Sequence, residues 1–265
     1  MNIEKITILS GIDKKHNPEN FEAIEIFKGE KIGIVGPTGS GKSQLLYDID
    51  KLANGETKTK RKILINDTKA ELSLKTDPSK KIIGYLTQHM NFMTDISVYE
   101  FLTLHIKIRE KTENLQDSEE LIENIIKSAN TITGEKIKKE HNLLSLSGGQ
   151  SRALMVSDLA YVSESPIVLI DEIENAGIKI ENALNLLVKS GKIIFLVTHD
   201  PMLSLSTDKR IIMKNGAISK IIQTSEAEKQ MCKQLSKIST SIFQIRDTIR
   251  EGELLEYKDV LRGLK

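Results

Sequence analysis

The chain has 265 residues, enough to bury a full core in one domain with a subdomain. Its 38 Lys and Arg residues against 37 Asp and Glu residues give a net charge of +1, so no overall field attracts nucleic acid or an anionic membrane, and we expect no nucleic-acid partner. The single cysteine, Cys232, excludes a disulfide framework, and the lack of a signal peptide or an apolar run of membrane-spanning length predicts a cytoplasmic protein.

The N-terminal part of the chain predicts a small antiparallel β layer. Residues 3–9 and 23–26 cluster or alternate β-branched side chains as strands do. The apolar residues 32–35 then predict a buried strand.

A glycine-rich loop, residues 36–43 with the sequence GPTGSGKS, joins this strand to a predicted helix that begins at Lys42. Its glycines let the backbone N–H groups point inward, and the helix adds the positive end of its dipole, which suits a polyphosphate. Lys42 is expected to reach the β- and γ-phosphates, and the Ser43 hydroxyl to bind Mg²⁺. The alternative is a chance glycine turn, but its context between strand and helix favours nucleotide binding. The predicted nucleotide-binding residues here are Gly36, Pro37, Thr38, Gly39, Ser40, Gly41, Lys42, Ser43 and Gln44.

The helix is predicted to end near Asn54 and Gly55, and the basic residues 58–62 are interpreted as a solvated loop before a strand at 63–65. The next strand, residues 82–86, leads to Gln88, and a glutamine at a strand end can bind Mg²⁺ or the attacking water. From residue 98 to about 141 the composition becomes charged and helical, with a capped helix start at Ser118, which predicts an inserted helical subdomain.

A second anion-binding helix start is predicted at residues 146–150, with the sequence LSGGQ. Ser147 can cap the following helix, and Gly148 and Gly149 leave its first N–H groups bare. One chain therefore carries two helix ends that attract phosphate.

Two apolar strands end in polar residues. Residues 166–170 run into Asp171 and Glu172, and residues 193–197 are followed by His199. Apolar strands that alternate with helices indicate a parallel sheet covered on both faces, with the ligand site at the carboxyl ends of its strands. Asn215 and Gly216 predict a closing hairpin, and the remaining residues look helical.

Taken in order, these motifs resemble the ATP-binding cassette (ABC) ATPases over residues 1–222. They match the Walker A loop, the Q-loop glutamine, the signature motif, the Walker B strand and the H-loop histidine of that family. The resemblance implies a P-loop (RecA-like) α/β fold: a mostly parallel sheet with an antiparallel β layer and an inserted helical subdomain. The expected units are a core of residues 1–91 and 151–222, a helical subdomain of residues 92–150, and a C-terminal helical extension of residues 223–265.

The resemblance also implies a homodimer or heterodimer, packed head to tail, with ATP between the Walker A loop of one chain and the signature residues of the other. It implies Mg²⁺-dependent ATP hydrolysis. Asp171 would orient Mg²⁺, with Ser43 and Gln88, and Glu172 would be the general base. His199 would contact the γ-phosphate and link it to Glu172. The implied contacts of the signature motif are Ser147, Gly148, Gly149 and Gln150.

Several positions depart from the family pattern, among them residues 175–178, where Asn-Ala-Gly-Ile stands in place of the usual Ser-Ala-Leu-Asp. Ile173 replaces the usual proline, and Ile178 replaces the usual aspartate, which bears on communication between the two ATP sites. No clear aromatic residue is present for stacking on adenine. His16 is near the expected place, Phe21 is a second choice, and an ordinary loop residue is the alternative for His16.

Three functions share this ATPase. The favoured one is the ATPase subunit of a transporter, at the inner face of the membrane through a permease whose helix would sit by Gln88. The alternative is a soluble ATPase that remodels or activates a cytosolic client protein, and a DNA-repair or translation cassette is discounted because no basic face or long coiled-coil insertion is present. The permease would contact an apolar loop that could equally pack inside the helical subdomain, with residues Met90, Phe92, Met93, Ile96, Tyr99 and Phe101.

The C-terminal extension carries an apolar stripe with spacings of 4, 3, 4, 3 and 4 residues, typical of a helix that packs along another helix. It either covers its own domain or contacts a second subunit. Its residues are Met231, Leu235, Ile238, Ile242, Ile245 and Ile249.

Overall fold

The computed structural model describes residues 2–77, 80–87, 90–109, 114–172, 178–250 and 252–254. Gln88, Ile173 and residues 175–177 of the predicted site region lie outside these residues. The strands are β1 (Lys5–Leu9), β2 (Ala23–Phe27), β3 (Lys31–Val35), β4 (Lys62–Ile65), β5 (Thr68–Lys69), β6 (Ile83–Thr87), β7 (Ile167–Asp171), β8 (Ile193–Val197), β9 (Lys209–Lys214) and β10 (Ala217–Gln223). The helices are α1 (Lys42–Asp50), α2 (Leu72–Thr76), α3 (Val98–Ile108), α4 (Leu115–Ile132), α5 (Gly148–Tyr161), α6 (Ile180–Lys189), α7 (Pro201–Leu205) and α8 (Glu226–Arg250).

The larger sheet has the order β10-β9-β3-β8-β7-β6. Its strands β9, β3, β8, β7 and β6 are parallel, and β10 pairs antiparallel at one edge. The smaller sheet is antiparallel, with the order β2-β1-β4-β5. The predicted α/β fold, with a mostly parallel sheet and an antiparallel layer, is confirmed.

Both faces of the central strands of the larger sheet are buried, as their continuous apolar sequences predict. In β8, Phe195 packs into a core shared with α1 and the antiparallel layer, while its neighbour Leu196 packs into a second core with the helices of the other face. Successive side chains of a strand point to opposite faces, so one strand contributes to two cores.

Two predicted helix boundaries were wrong. Helix α1 ends at Asp50 rather than near Gly55, because Leu52 adopts a left-handed conformation (φ 47°) that cannot continue a helix. Helix α4 begins at Leu115, where the Asn114 side chain accepts a hydrogen bond from Asp117 N, so Ser118 lies inside the helix.

The apolar segment after β6 packs mainly within its own chain, and its last two residues, Tyr99 and Phe101, belong to α3 rather than to the predicted loop. Met90, Phe92, Ile96, Tyr99 and Phe101 lie against the core of the helical side, which favours the packing interpretation for these five residues. The exception is Met93, whose surface is 94% exposed.

Helix α8 packs on α7 through its first half, where the Cys232 thiol donates to Met202 O. Most of the predicted stripe faces solvent: Met231, Ile238, Ile242 and Ile249 are exposed. The stripe therefore does not simply cover its own domain, and contact with a second subunit stays a prediction. Within the described ranges, no helix is both long enough and apolar enough to cross a bilayer.

Candidate nucleotide-binding and hydrolysis site

Three predicted site segments meet at one edge of the larger sheet. Strand β8 pairs with β3 on one side and with β7 on the other, all parallel. The glycine loop follows β3, and His199 follows β8. Asp171 is the last residue of β7, and Glu172 comes directly after it. Because the carboxyl ends of parallel strands share an edge, the fold brings these segments together as the sequence predicts.

The glycine loop is shaped by close backbone contacts. A Cβ atom on Gly36 would lie 2.4 Å from Met213 O, and one on Gly41 would lie 2.9 Å from the Gly216 Cα. Gly41 also has a left-handed φ of 103°. Any larger residue would therefore distort the loop at both places.

The polar groups of the loop suit a polyphosphate. The Lys42 ammonium donates to Gly36 O at 2.9 Å and to Pro37 O at 3.3 Å, so the cation is held inside the loop. The Ser40 hydroxyl is buried and has no hydrogen-bond partner within the described part of the chain. A cation and an unused hydroxyl beside the N-terminus of α1 fit a bound phosphate chain.

The carboxylate side of the site contains a tyrosine that the sequence analysis did not single out. The Tyr85 hydroxyl donates to Asp171 Oδ2 at 3.4 Å. Burial, followed by the nearby Asp171 charge, raises the pKa of Tyr85 to about 12, so the hydroxyl stays protonated near neutral pH. The phenol thus supplies a stable donor to the predicted metal-binding carboxylate.

Glu172 and His199 form a pair at the solvent-facing end of the site. His199 Nε2 lies 3.5 Å from Glu172 Oε1, and both side chains are about half exposed, at 52% and 50%. Glu172 has a positive φ of 50°, which is uncommon for a residue with a side chain. Such backbone conformations are found preferentially at functional sites.

The start of α5 is capped as predicted. The Ser147 hydroxyl accepts from Gln150 N, and the Gln150 side chain accepts from Ser147 N, a reciprocal capping box. Gln150 is largely buried and also donates to Lys136 O, so its side chain supports the helix start. Gly148 and Gly149 occupy the first turn of α5.

The remaining predicted residues lie in different settings. His16 is exposed in a loop with a φ of 65°, and Phe21 is packed against the core of the antiparallel layer. The Gln44 side chain donates to Asp48 Oδ1 rather than pointing at the loop. Ile178 is buried, and its backbone forms an isolated antiparallel β-bridge with Thr133 at the end of α4. This apolar replacement therefore packs against the helices rather than facing the glycine loop.

The basic run at residues 58–62 was wrongly interpreted as an entirely solvated loop. Arg61 is fully buried and forms ion pairs with Glu19 at 2.6 Å and Asp48 at 3.0 Å, both also buried. No local pattern predicts this burial, because the two carboxylates are 42 and 13 residues away along the chain. Only folding brings them to the same place.

Comparison with known proteins agrees with this geometry. The family model described as ABC transporter matches residues 22–175. An uncharacterized ABC transporter ATP-binding protein of Methanocaldococcus jannaschii is 48% identical over 260 residues, which cover 98% of this chain and 98% of that protein. A lipoprotein-releasing system ATP-binding protein, LolD, of Shewanella sp. (strain MR-7) is 26% identical over 77% of this chain and 87% of its own length.

A solved structure gives the same result for the fold. A dimeric ATP-binding cassette in a post-hydrolysis state, bound to ADP and Pi, superposes with a TM-score of 0.60 at 22% identity. The match covers 83% of this chain and 99% of that one. The fold and site thus define a P-loop ATPase cassette. The chain belongs to the ABC transporter family.

Proposed function

We propose that this chain is the Mg²⁺-dependent ATPase subunit of an ABC transporter. The observation that carries the proposal is the meeting of three parts at one sheet edge: the glycine loop, Asp171, and the Glu172–His199 pair. The curated relatives are ATP-binding components of transport and release systems. This supports a transporter role over the remodelling of a cytosolic client protein.

The proposed chemistry assigns separate tasks to the protein groups. Lys42 and the inward N–H groups of the loop bind the triphosphate, because they supply charge and donors where phosphate oxygens would lie. Glu172 acts as general base toward the attacking water. His199, 3.5 Å from that carboxylate, orients it and contacts the γ-phosphate.

Ser43 and Asp171, together with Gln88, would hold Mg²⁺ at the start of α1 and the end of β7. These oxygen ligands fit a metal that retains several waters and also binds phosphate. When bound, Mg²⁺ supplies charge neutralisation at the phosphates. Tyr85 orients the Asp171 carboxylate from the side of the sheet.

We further propose that two subunits pair head to tail, as a homodimer or heterodimer. The residues Ser147, Gly148 and Gly149 of one subunit would then face the nucleotide of the other. The capping box fixes the direction of the first turn of α5, so its donors are preorganised for an anion. The functional units are the core of residues 1–91 and 151–222, the helical subdomain of residues 92–150, and the extension of residues 223–265.

The permease is proposed to contact the loop after β6, which would hold the subunit at the inner face of the membrane. Met93 is 94% exposed within an otherwise packed apolar loop, and an isolated exposed methionine suits an adaptable contact. Met93→Glu is therefore expected to abolish copurification with an integral membrane protein. Leu72→Glu is the matched control, because Leu72 is also strongly exposed (72%) but lies on α2.

The experiment is affinity purification of the tagged chain from mild-detergent extracts of its own cells. Recovery of a membrane-spanning protein with wild type and Leu72→Glu, but not with Met93→Glu, supports the transporter role. Recovery of only non-membrane proteins with wild type contradicts it. In parallel, Lys42→Ala is expected to lose ATP binding in a nucleotide titration, and unchanged affinity would contradict the assignment of the loop.

A further inference from the structure

The turn between β9 and β10 packs directly against the glycine loop. Gly216 N donates to Ser40 O at 2.8 Å. The same hairpin also approaches Gly36 and Gly41 closely: a Cβ atom on Gly36 would clash with Met213 O, and one on Gly41 with Gly216 Cα. The hairpin thus limits the shapes that the loop can adopt.

The buried Arg61 stabilises this turn through a hydrogen bond. Arg61 Nη2 donates to Gly216 O at 2.9 Å, and Ile218 N donates to Glu19 Oε1 at 2.6 Å. Glu19 and Asp48 pair with the same guanidinium, and Asp48 belongs to α1. A planar guanidinium fixed by two carboxylates is a rigid support, so the turn has little freedom to move.

The exposed side of the glycine loop has much less support. A Cβ atom on Gly39 would meet nothing within 4 Å, and its φ of 76° is in the left-handed region. Pro37, Thr38 and Gly39 are all exposed. An exposed glycine without neighbouring atoms loses the most backbone conformational entropy when a bound ligand orders the loop.

Lys14 links the turn between β9 and β10 to this exposed side of the glycine loop. Its backbone N donates to Asn215 O at 3.2 Å, and a Cβ atom on Gly216 would lie 2.6 Å from its Cγ, so the side chain runs across the rigid turn. Its ammonium then donates to Gly39 O at 2.8 Å. One side chain therefore connects the turn to the exposed Gly39 of the loop.

We propose that Lys14 is a positioning residue for nucleotide binding, which holds the glycine loop in its binding shape before nucleotide arrives. The proposal rests on nucleotide binding at this loop. The hydrogen bond from Lys14 orders the loop in advance, so less conformational entropy is lost when a nucleotide binds. Because this bond goes to a loop carbonyl and not to the ligand, its effect should be the same for every nucleotide that binds the loop.

The test uses Lys14→Met, which keeps most of the aliphatic side chain over Gly216 and removes the ammonium. Lys15→Met is the matched control, because Lys15 is the adjacent exposed lysine and makes its hydrogen bond through its backbone N, to Asp13 Oδ1. Dissociation constants are measured for ATP and ADP at low and high salt. Hydrogen exchange of the peptide that contains residues 36–41 is measured without nucleotide.

Lys14→Met is expected to weaken ATP and ADP binding alike, by about fivefold, and to keep that loss at high salt. Exchange in the loop should accelerate, while Lys15→Met matches wild type in both measurements. Unchanged affinity and exchange in Lys14→Met would overturn the proposal. So would a loss that is confined to ATP and fades with salt, since that indicates a direct charge contact with phosphate. Failure of wild type to bind nucleotide would instead overturn the function on which the proposal rests.

Discussion

His199 Nε2 lies 3.5 Å from Glu172 Oε1 at the sheet edge where the glycine loop begins. The two residues follow adjacent strands, β8 and β7, in which Val197 pairs with Asp171. The pairing of these strands therefore sets their spacing, although 27 residues separate them in the chain. Since both side chains are half exposed, a ligand and water can reach them.

His199→Ala is expected to reduce ATP hydrolysis by about tenfold or more while leaving ATP affinity nearly unchanged. A hydrogen bond to a charged group contributes about 1.5 to 3 kcal/mol, and about 1.4 kcal/mol corresponds to a factor of ten in rate. Phosphate release and nucleotide titration are measured side by side. His141→Ala serves as control, because His141 precedes the signature motif and lies outside this edge. A normal rate in His199→Ala would remove His199 from the mechanism.

Tyr85→Phe is expected to raise the Mg²⁺ concentration needed for half-maximal hydrolysis by about fivefold, the effect of losing one ordinary hydrogen bond to Asp171. ATP affinity in the absence of Mg²⁺ should not change, because the hydrogen bond of the hydroxyl goes to Asp171 and not to the glycine loop. The raised pKa, about 12, keeps the donor protonated, so the difference between wild type and variant should be constant from pH 6 to about pH 9. An unaltered Mg²⁺ requirement would show that the contact is only structural.

Ser147→Arg is expected to prevent the ATP-dependent dimer and leave ATP binding to the monomer intact, because a long side chain would occupy the place where the partner's phosphate must approach. The substitution also removes a helix cap, which costs about 0.5 to 2 kcal/mol of stability. Ser147→Ala separates the two effects, since it loses the cap without adding bulk. Ser145→Arg, two residues earlier and exposed, controls for the added charge. A dimer of normal yield in Ser147→Arg would contradict the shared site.

Much of the fold was predictable because its signals are local. The strand before the glycine loop, the capped start of α5 and the Asn215–Gly216 turn each depend on residues close together in sequence, and all three are present. The predicted end of α1 is wrong because Leu52, a good helix former, is left-handed and buried in the core, which local propensity does not indicate.

The supporting residues of the site were not predictable in the same way. Arg61 looks like one more surface cation in a basic run, and its burial depends on Glu19 and Asp48 from two other segments. Lys14 and Tyr85 are ordinary residues in sequence, and they gain their partners, Gly39 and Asp171, only in the folded chain. A motif identifies the groups that face the ligand, whereas the groups behind them have no fixed spacing.

Glu172→Gln tests the central claim most directly, because glutamine keeps the size of glutamate and one acceptor oxygen but cannot take a proton. Phosphate release and size-exclusion chromatography with ATP and Mg²⁺ are measured on the same preparation, with Glu123→Gln on the exposed face of α4 as control. The account predicts that hydrolysis falls by about a hundred- to ten-thousandfold and that an ATP-bound dimer accumulates. A Glu172→Gln protein that stays monomeric and hydrolyses ATP at the wild-type rate would contradict both the general base and the shared site.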